Sequence, residues 1–247
     1  MPVPSPEPQE TTPRFLDAGE AALVVEFGSR VDPATNERVL ALDDALRLAP
    51  PEGLRECVPT YRSLMIHYDP LVLDRAALVA RVEADLRRPS GPRRAGRTWA
   101  MPCCYDPALA EDIAAFGALA GLSAEEVAAR HASAEYRVYM YGFAPGFAYL
   151  GGLPEALALP RRASPRPPHP RNAVMVGGGL AAVATFPMPT GWYVIGRTPE
   201  RLYAPEREPA FLVEGGDGLR FEPVDAATFA ALDRRAAAGE VVARRLA

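Results

Sequence analysis

The chain has 247 residues, of which 49% are apolar and 23% charged, with a formal net charge of −4 at pH 7. Such a length accommodates two modest domains or one large one. The composition is that of an ordinary soluble globular protein, and the acidic balance argues against nucleic acid or an anionic membrane as main partner.

Residues 1–13, rich in proline and acid and without an apolar core, are expected to form a disordered tail rather than a signal peptide. Ala21–Phe27 then reads as a strand, stopped by Gly28-Ser29. Asp32-Pro33 offers a helix cap followed by proline at the first helical position. Val39, Leu40, Leu42, Ala45, Leu46 and Leu48 follow at helical spacing. Cys57–Tyr68 reads as a second extended region, and Asp74 caps a helix with Leu78, Val79, Val82 and Leu86 on one face. This strand–helix–strand–helix order makes residues 14–88 a small α+β domain. Residues 89–97, arginine-rich with glycine and proline and no apolar anchor, read as a solvated linker.

A second domain, 98–247, opens with the strand Thr98–Tyr105. A helix over Leu109–Leu122 follows, then a capping box, Ser123-Ala124-Glu125-Glu126, opening a helix that ends near His131. The strand Tyr136–Tyr141 leads into a long stretch read as irregular. Further strands are expected at Ala173–Val176, Leu180–Phe186, Trp192–Ile195, Arg201–Tyr203 and Leu219–Pro223, a pattern that suggests a barrel or sandwich. One or two helices close the chain from Ala226. The apolar runs are broken by proline or glycine, so no membrane span is expected and a cytoplasmic protein is the simplest reading.

Several chemistries lack their residues. Ser133 and Ser164 sit in no Gly-x-Ser-x-Gly elbow. His67, His131 and His169 lie far in sequence from any cysteine, and His169 stands in a proline-rich loop beside Arg166 and Arg171. The three cysteines, Cys57 and the pair Cys103-Cys104, form neither a disulfide framework nor a zinc spacing, and one of the pair is expected to be buried. No metal site is expected. There is no Walker-type phosphate loop and no lysine at all.

Recognition by arginine, aromatic rings and backbone remains. Tyr139–Pro199 combines Gly142, Phe143, Pro145, Gly146, Phe147 and Tyr149 with Arg161, Arg162 and Arg166, then Gly178 and Gly179, then Trp192 and Arg197. Three arginines between prolines could clamp an anion or join a surface salt-bridge network. Gly177-Gly178-Gly179 could offer an anion nest or only a sharp bend.

In this order the residues resemble the family of 5-oxoprolinase B subunits, also called allophanate hydrolase subunit 1 or KipI-like proteins, itself similar to one half of the carboxyltransferase region of urea carboxylase. The family pattern Gly-Phe-x-Pro-Gly-Phe-x-Tyr-Leu is matched by Gly142, Phe143, Pro145, Gly146, Phe147, Tyr149 and Leu150. Pro-Arg-Arg-x-x-Pro-Arg is matched by Pro160, Arg161, Arg162, Pro165 and Arg166, and Gly-Trp-x-x-Ile-Gly-Arg-Thr-Pro by Gly191 to Pro199. The resemblance implies a small α+β amino-terminal domain and a cyclophilin-like β-barrel. It implies a partner of the C-type, or allophanate hydrolase subunit 2 type, a further A-type partner, and a ligand pocket near a junction between subunits. The activity implied is ATP-driven opening of 5-oxo-L-proline to L-glutamate, with ATP shared among the polypeptides of the complex. Arg161, Arg162, Arg166 and Arg197 would bind anionic groups and the aromatic residues would shape the pocket; no catalytic residue is assigned. A carboxyltransferase-type or allophanate-hydrolase-type chain acting on another amide, or an inhibitor of a sensor histidine kinase, are alternatives within the same resemblance. Biotin would have to arrive on another protein, because this chain has no lysine to carry it. The chain departs from the pattern at Asn172 (glycine in relatives), Leu180 (glutamine), Ala181 (threonine), Ala184 (tyrosine) and Thr190 (glycine).

Overall fold

The computed structural model of the protein describes residues 12–88 and 96–246. The expected tail and linker fall, but for residues 12–13 and 96–97, outside the described residues. The chain divides into two compact units, Met1–Arg94 and Ala95–Ala247. Its class is α+β, with helices beside one sheet of four strands and one of eight.

The first unit contains β1 (Arg14–Asp17), β2 (Ala22–Glu26), α1 (Pro33–Leu48), β3 (Leu54–Pro59), β4 (Ser63–Tyr68) and α2 (Arg75–Arg87). Its sheet runs β1-β2-β4-β3 with every pair antiparallel. Asp32 caps α1 by accepting from the Thr35 amide, and Asp74 caps α2 by accepting from the Ala77 amide. Val39, Leu42, Leu46, Leu78 and Val82 from the helices share a core with Leu23, Val25, Leu64 and Ile66 from the sheet. The extended region expected over Cys57–Tyr68 proves to be a hairpin. The Thr60 amide donates to the Ser63 carbonyl at 2.8 Å, turning the chain between β3 and β4.

The second unit contains β5 (Thr98–Cys103), α3 (Ile113–Ala120), α4 (Ala124–Ala132), β6 (Glu135–Gly142), β7 (Ala144–Gly151) and a 3-10 turn at Glu155–Leu157. It continues with β8 (Ala173–Gly177), β9 (Leu180–Ala184), β10 (Tyr193–Arg197), β11 (Gly218–Pro223), α5 (Ala226–Ala237) and β12 (Arg244–Leu246). The strand order is β10-β8-β9-β7-β6-β11-β5-β12. Its two ends meet. The Cys104 amide donates to the Arg197 carbonyl at 2.8 Å and the Arg197 amide returns the bond at 2.9 Å. Seven strands thus curl into a ring, and β12 covers the remaining edge of β5 at Thr98–Ala100. Closure removes the unpaired edges that an open sheet would present.

Side chains alternate across the ring, as pleating requires. Val174, Val176, Ala181, Val183, Tyr193, Ile195, Ala148 and Leu150 face the inner core, where Ile113 and Phe116 of α3 and Val127 of α4 join them. Cys103 and Cys104 are both buried and free, the second because it sits at the seam opposite Arg197.

Three expectations are corrected. Ala144–Gly151, read as part of an irregular stretch, is a strand: Pro145 stands exposed at its start, where a missing amide costs little, and Phe147, Ala148, Tyr149 and Leu150 alternate behind it. Arg201–Tyr203 forms only one isolated bridge, Tyr203 to Phe211. The chain end is one helix and a short strand, fastened by the buried carboxylate of Glu200. That carboxylate accepts from the Val242 and Ala243 amides at 2.6 and 2.7 Å and from the Arg207 guanidinium at 3.0 Å.

His131 is fully buried among Tyr105, Tyr136 and Phe221, with its Nδ1 2.7 Å from the Tyr105 hydroxyl. Burial lowers its pKa from 6.5 to about 3. Below pH 6.5 the unfolded chain takes up a proton that the folded chain refuses, so this histidine's contribution to stability falls as the pH falls toward 3. At pH 5 the loss is about 2 kcal/mol relative to pH 7. Urea unfolding of the wild type and of His131→Leu at both pH values checks this, with the variant showing the smaller loss.

Candidate functional site

Four strands of the ring, β7, β9, β8 and β10, carry a second apolar layer on their outward face: Phe147, Ala173, Met175, Ala182, Ala184, Trp192 and Val194. Tyr149, Ala182, Met175 and Val194 form one row across it. Tyr149 and Trp192 rise from strands separated by two others, roughly 14 Å apart at ~4.8 Å per strand. Their ring centroids nevertheless lie 6.1 Å apart. They meet because alanine and glycine lie beneath: Ala182 is paired with Tyr149, and a Cβ on Gly177 would come within 3.4 Å of the Trp192 ring. The rings run as a series, with centroids 6.0 Å apart for Phe143–Phe147 and 4.8 Å for Phe147–Tyr149, distances at which aromatic pairs attract. Beyond Trp192 the series ends on Arg161, whose guanidinium carbon lies 5.1 Å from the indole centroid.

The four arginines have different situations. Arg162 donates to Asp112 Oδ1 at 3.1 Å and Arg166 to Asp112 Oδ2 at 2.8 Å, and Arg166 also pairs with Glu111. Asp112 accepts a third bond, from the Val194 amide at 2.8 Å, which explains why it opens α3 without capping it through its side chain. Arg161 and Arg162 are neighbours that point to opposite sides of β10. The first lies on outward Trp192; the second lies 5.3 Å from the ring of Tyr193, which belongs to the inner core. Arg197 stands at the far end of β10, roughly 16 Å from Trp192 at ~3.3 Å per residue. There its Nε donates to the Arg171 carbonyl at 2.9 Å and its guanidinium lies 5.8 Å from the Phe229 ring. Among the described residues Arg161 alone of the four has neither a carboxylate nor a carbonyl partner. The structure therefore brings Arg161 together with Phe143, Phe147, Tyr149 and Trp192, and ties the other three arginines into the scaffold.

The glycine and proline positions explain the shape. Gly178 and Gly179, at φ 64° and 78°, form the two-residue turn between β8 and β9. The Gly178 amide is already bound to the Leu159 carbonyl at 2.8 Å. Gly146, at φ 71°, lies so close beneath Tyr203 that a Cβ would come within 2.4 Å of that residue. The Pro145 carbonyl accepts from the Thr185 hydroxyl at 2.6 Å. Gly142 ends β6, and Phe143 occupies the turn into β7. Asn172 takes φ 58°, a conformation that glycine adopts freely and asparagine tolerates, so this departure leaves the backbone unstrained. At β9 the departures remove polar groups. Leu180 and Ala184 lie on the outward layer and Ala181 in the inner core, so none of the three offers a side-chain hydrogen bond.

Burial raises the Tyr149 hydroxyl pKa, with Arg161 opposing the shift, and burial chiefly, aided by Arg166, lowers that of His169. His169 is buried with Nδ1 2.8 Å from the Pro170 carbonyl, and so packs the loop. No group of three or more histidine, cysteine, aspartate or glutamate side chains among the described residues is placed to hold a metal ion. Among them too, no helix is long and apolar enough to cross a membrane. Asp112 and Glu111 were not legible as partners of the arginines. Their only signal is a pair of acids directly before an apolar helix, which reads equally as a cap.

Comparison with known proteins gives concordant results. The family described as carboxyltransferase domain, subdomain C and D, matches residues 13–213. The chain is 32% identical over 214 residues to the 5-oxoprolinase B subunit of Bacillus subtilis (strain 168), covering 82% of this chain and 89% of that protein. It is 35% identical over 210 residues to the 5-oxoprolinase B subunit of Escherichia coli O157:H7, covering 83% and 93%. The crystal structure of TTHA0988 superposes with a TM-score of 0.75 at 38% identity, over 83% of this chain but 40% of that one. This chain thus spans less than half the length of that structural relative.

Replacing Asp112 with alanine strands the Arg162 guanidinium and one strand amide and leaves Arg166 with Glu111 alone. The expected loss is about 3 kcal/mol of stability, with faster proteolysis between residues 160 and 192. Arg161→Met, which removes only a half-exposed stacking contact, costs under about 1 kcal/mol. Urea denaturation and limited trypsin digestion of the two variants check the contrast.

Proposed function

We propose, for a chain that belongs to the carboxyltransferase domain family of subdomain C and D type and to the 5-oxoprolinase B-subunit family, that it is the non-autonomous B subunit of an ATP-dependent 5-oxoprolinase. The relatives' name implies further subunits in a complex. The partners proposed here are a C-type, or allophanate hydrolase subunit 2 type, protein and an A-type protein, which share the binding of ATP with this chain in the cytoplasm. The reaction is the opening of 5-oxo-L-proline to L-glutamate with hydrolysis of ATP.

One observation carries the assignment of the site: the Arg161 guanidinium, stacked on Trp192 at the end of a series of rings, has no carboxylate of its own among the described residues. A planar guanidinium donates two parallel bonds to a carboxylate, and the aromatic face beneath keeps one of its sides dry. Arg161 then holds the substrate carboxylate, the partly exposed Tyr149 lies against the flat lactam ring, and the buried Trp192 and Phe147 back these two and exclude water from that side. Orientation and water exclusion are what a subunit without its own nucleophile contributes to an amide opening. Arg162 and Arg166, neutralised by Asp112 and Glu111, support this arrangement by holding the segment that carries Arg161 against β10.

A second reading is favoured by β9. Leu180, partly exposed, places an apolar side chain on the outward face where the family pattern has glutamine, while Ala182 and Ala184 are buried beside it. A protein of the same type acting on a bulkier or more apolar amide would use that leucine.

The test is to combine the purified chain with its A-type and C-type partner proteins and measure 5-oxoproline-dependent release of ADP. The expected result is release only when the chain is present, and with Arg161→Met a KM for 5-oxoproline raised about 10- to 100-fold at little change in kcat. No stimulation over the partners alone removes the substrate assignment. A more apolar lactam or amide that outcompetes 5-oxoproline replaces it with the second reading.

A further inference from the structure

At the tip of the β6–β7 hairpin, Phe143 combines two properties that folding alone disfavours. Its φ is 67°, in the left-handed region where a Cβ crowds the backbone and aromatic residues are rare. Its ring is 79% exposed, so burial of its own surface does not offset that strain. The conformation is enforced from below. Gly146 is wedged under Tyr203, the Pro145 carbonyl is bonded to the Thr185 hydroxyl, and the Tyr141 hydroxyl donates to the Val213 carbonyl at 2.5 Å. Ala144 packs on the outward layer and Gly142 pairs directly with it, so a single residue must make the turn. Glycine would adopt this turn freely. A phenylalanine held there, its ring edge-on to Phe147, is a rigid apolar projection that begins the series of rings leading to Trp192 and Arg161.

From this geometry we infer that Phe143 is the anchor by which the partner polypeptide of the complex seats on this chain, its ring entering an apolar hollow on the partner. The inference rests on the proposed function above and names the contact which that reading leaves open. Preorganised aromatic side chains standing clear of a surface are the residues that dominate association energies, because little rotamer freedom is lost on docking. The occupant is a partner rather than a small molecule because a 79% exposed ring at a hairpin tip projects outward and encloses nothing. It is a different polypeptide rather than a second copy on the evidence of the longer relative. There a unit 38% identical to this one occupies 40% of a single chain, so the remaining length of polypeptide is tethered to it as a permanent neighbour. Seated at Phe143, such a neighbour lies at one end of the ring series and walls off the partly exposed Tyr149 from solvent.

The experiment compares wild type with Phe143→Gly and Phe143→Asn, both tolerant of positive φ, in two measurements. Thermal unfolding reads the strain. Titration calorimetry against the purified C-type partner protein reads the contact. Because the substitutions relieve the backbone, the Tm is expected to hold or to rise by up to about 3 °C. Because they delete the anchor, the dissociation constant is expected to rise ~30-fold or more. Binding within threefold of wild type overturns the inference and leaves the proposed function standing. Absence of any wild-type binding overturns both. A fall in Tm of more than about 5 °C identifies Phe143 as part of the core and overturns the inference. So does sedimentation showing that wild type alone dimerises and Phe143→Gly does not, which assigns the surface to a second copy.

Discussion

The Asp112 carboxylate accepts from Arg162, Arg166 and the Val194 amide at once, and the outward face takes its form from that junction. The segment from Pro160 to Pro170 contains five prolines and makes few main-chain bonds of its own; it is attached to the barrel where Arg162 and Arg166 reach the start of α3 and where their amides pair with Gly191 and Thr190. Two cations sharing one partly buried carboxylate are held by charge-assisted bonds, stronger than neutral ones and directional. The same carboxylate fixes β10 at Val194, two residues beyond Trp192. The indole and the guanidinium of Arg161 are therefore positioned by one anchor, from the strand side and from the loop side.

The barrel contributes a surface that can be apolar on both sides. Closing the sheet at Cys104 and Arg197 leaves the inner layer to pack on itself and on α3 and α4, so the outer layer of β7 to β10 is not needed for the main core. Small residues there allow aromatic side chains to lie down across several strands instead of standing upright. A larger residue at Gly177 or Ala182 would lift Trp192 or Tyr149 and separate the two. The outward layer thus gathers rings at one end of the barrel face and, beside them, the guanidinium of Arg161, which has no carboxylate partner among the described residues, an arrangement suited to a flat ligand that carries a carboxylate.

Much of this was legible in the residues. Asp32-Pro33, Asp74 and Ser123–Glu126 announced three helices through local capping, which depends on neighbours in sequence. Strands β2, β5 and β8 to β11 were visible as apolar runs between turn residues. β7 was hidden because Pro145 and Gly146 break propensity at its start, and their reasons for being there, a bond from Thr185 and the close approach of Tyr203, lie far away in sequence. β12 is too short and too charged to signal a strand. The arginine cluster was legible as a cluster and its division was not. Whether a guanidinium meets a carboxylate depends on Asp112, fifty residues before Arg162, and on which side of β10 each side chain falls. Composition could indicate arginine beside aromatic residues; only the pleat separated Arg161 from Arg162.

In the proposed site Arg161, backed by Trp192, receives the carboxylate of a lactam acid, and the other roles follow from that contact. Trp192 and Trp99 are the two tryptophans of the chain. Fluorine NMR of 5-fluorotryptophan-labelled protein in the reconstituted complex therefore follows the site and an internal control in one spectrum. The expected result is that 5-oxoproline shifts the Trp192 resonance saturably, that 2-pyrrolidinone, the same ring without a carboxylate, does so only at far higher concentration, and that Trp99 does not move. Equal responses to the two lactams, or a response at Trp99 and none at Trp192, would contradict it.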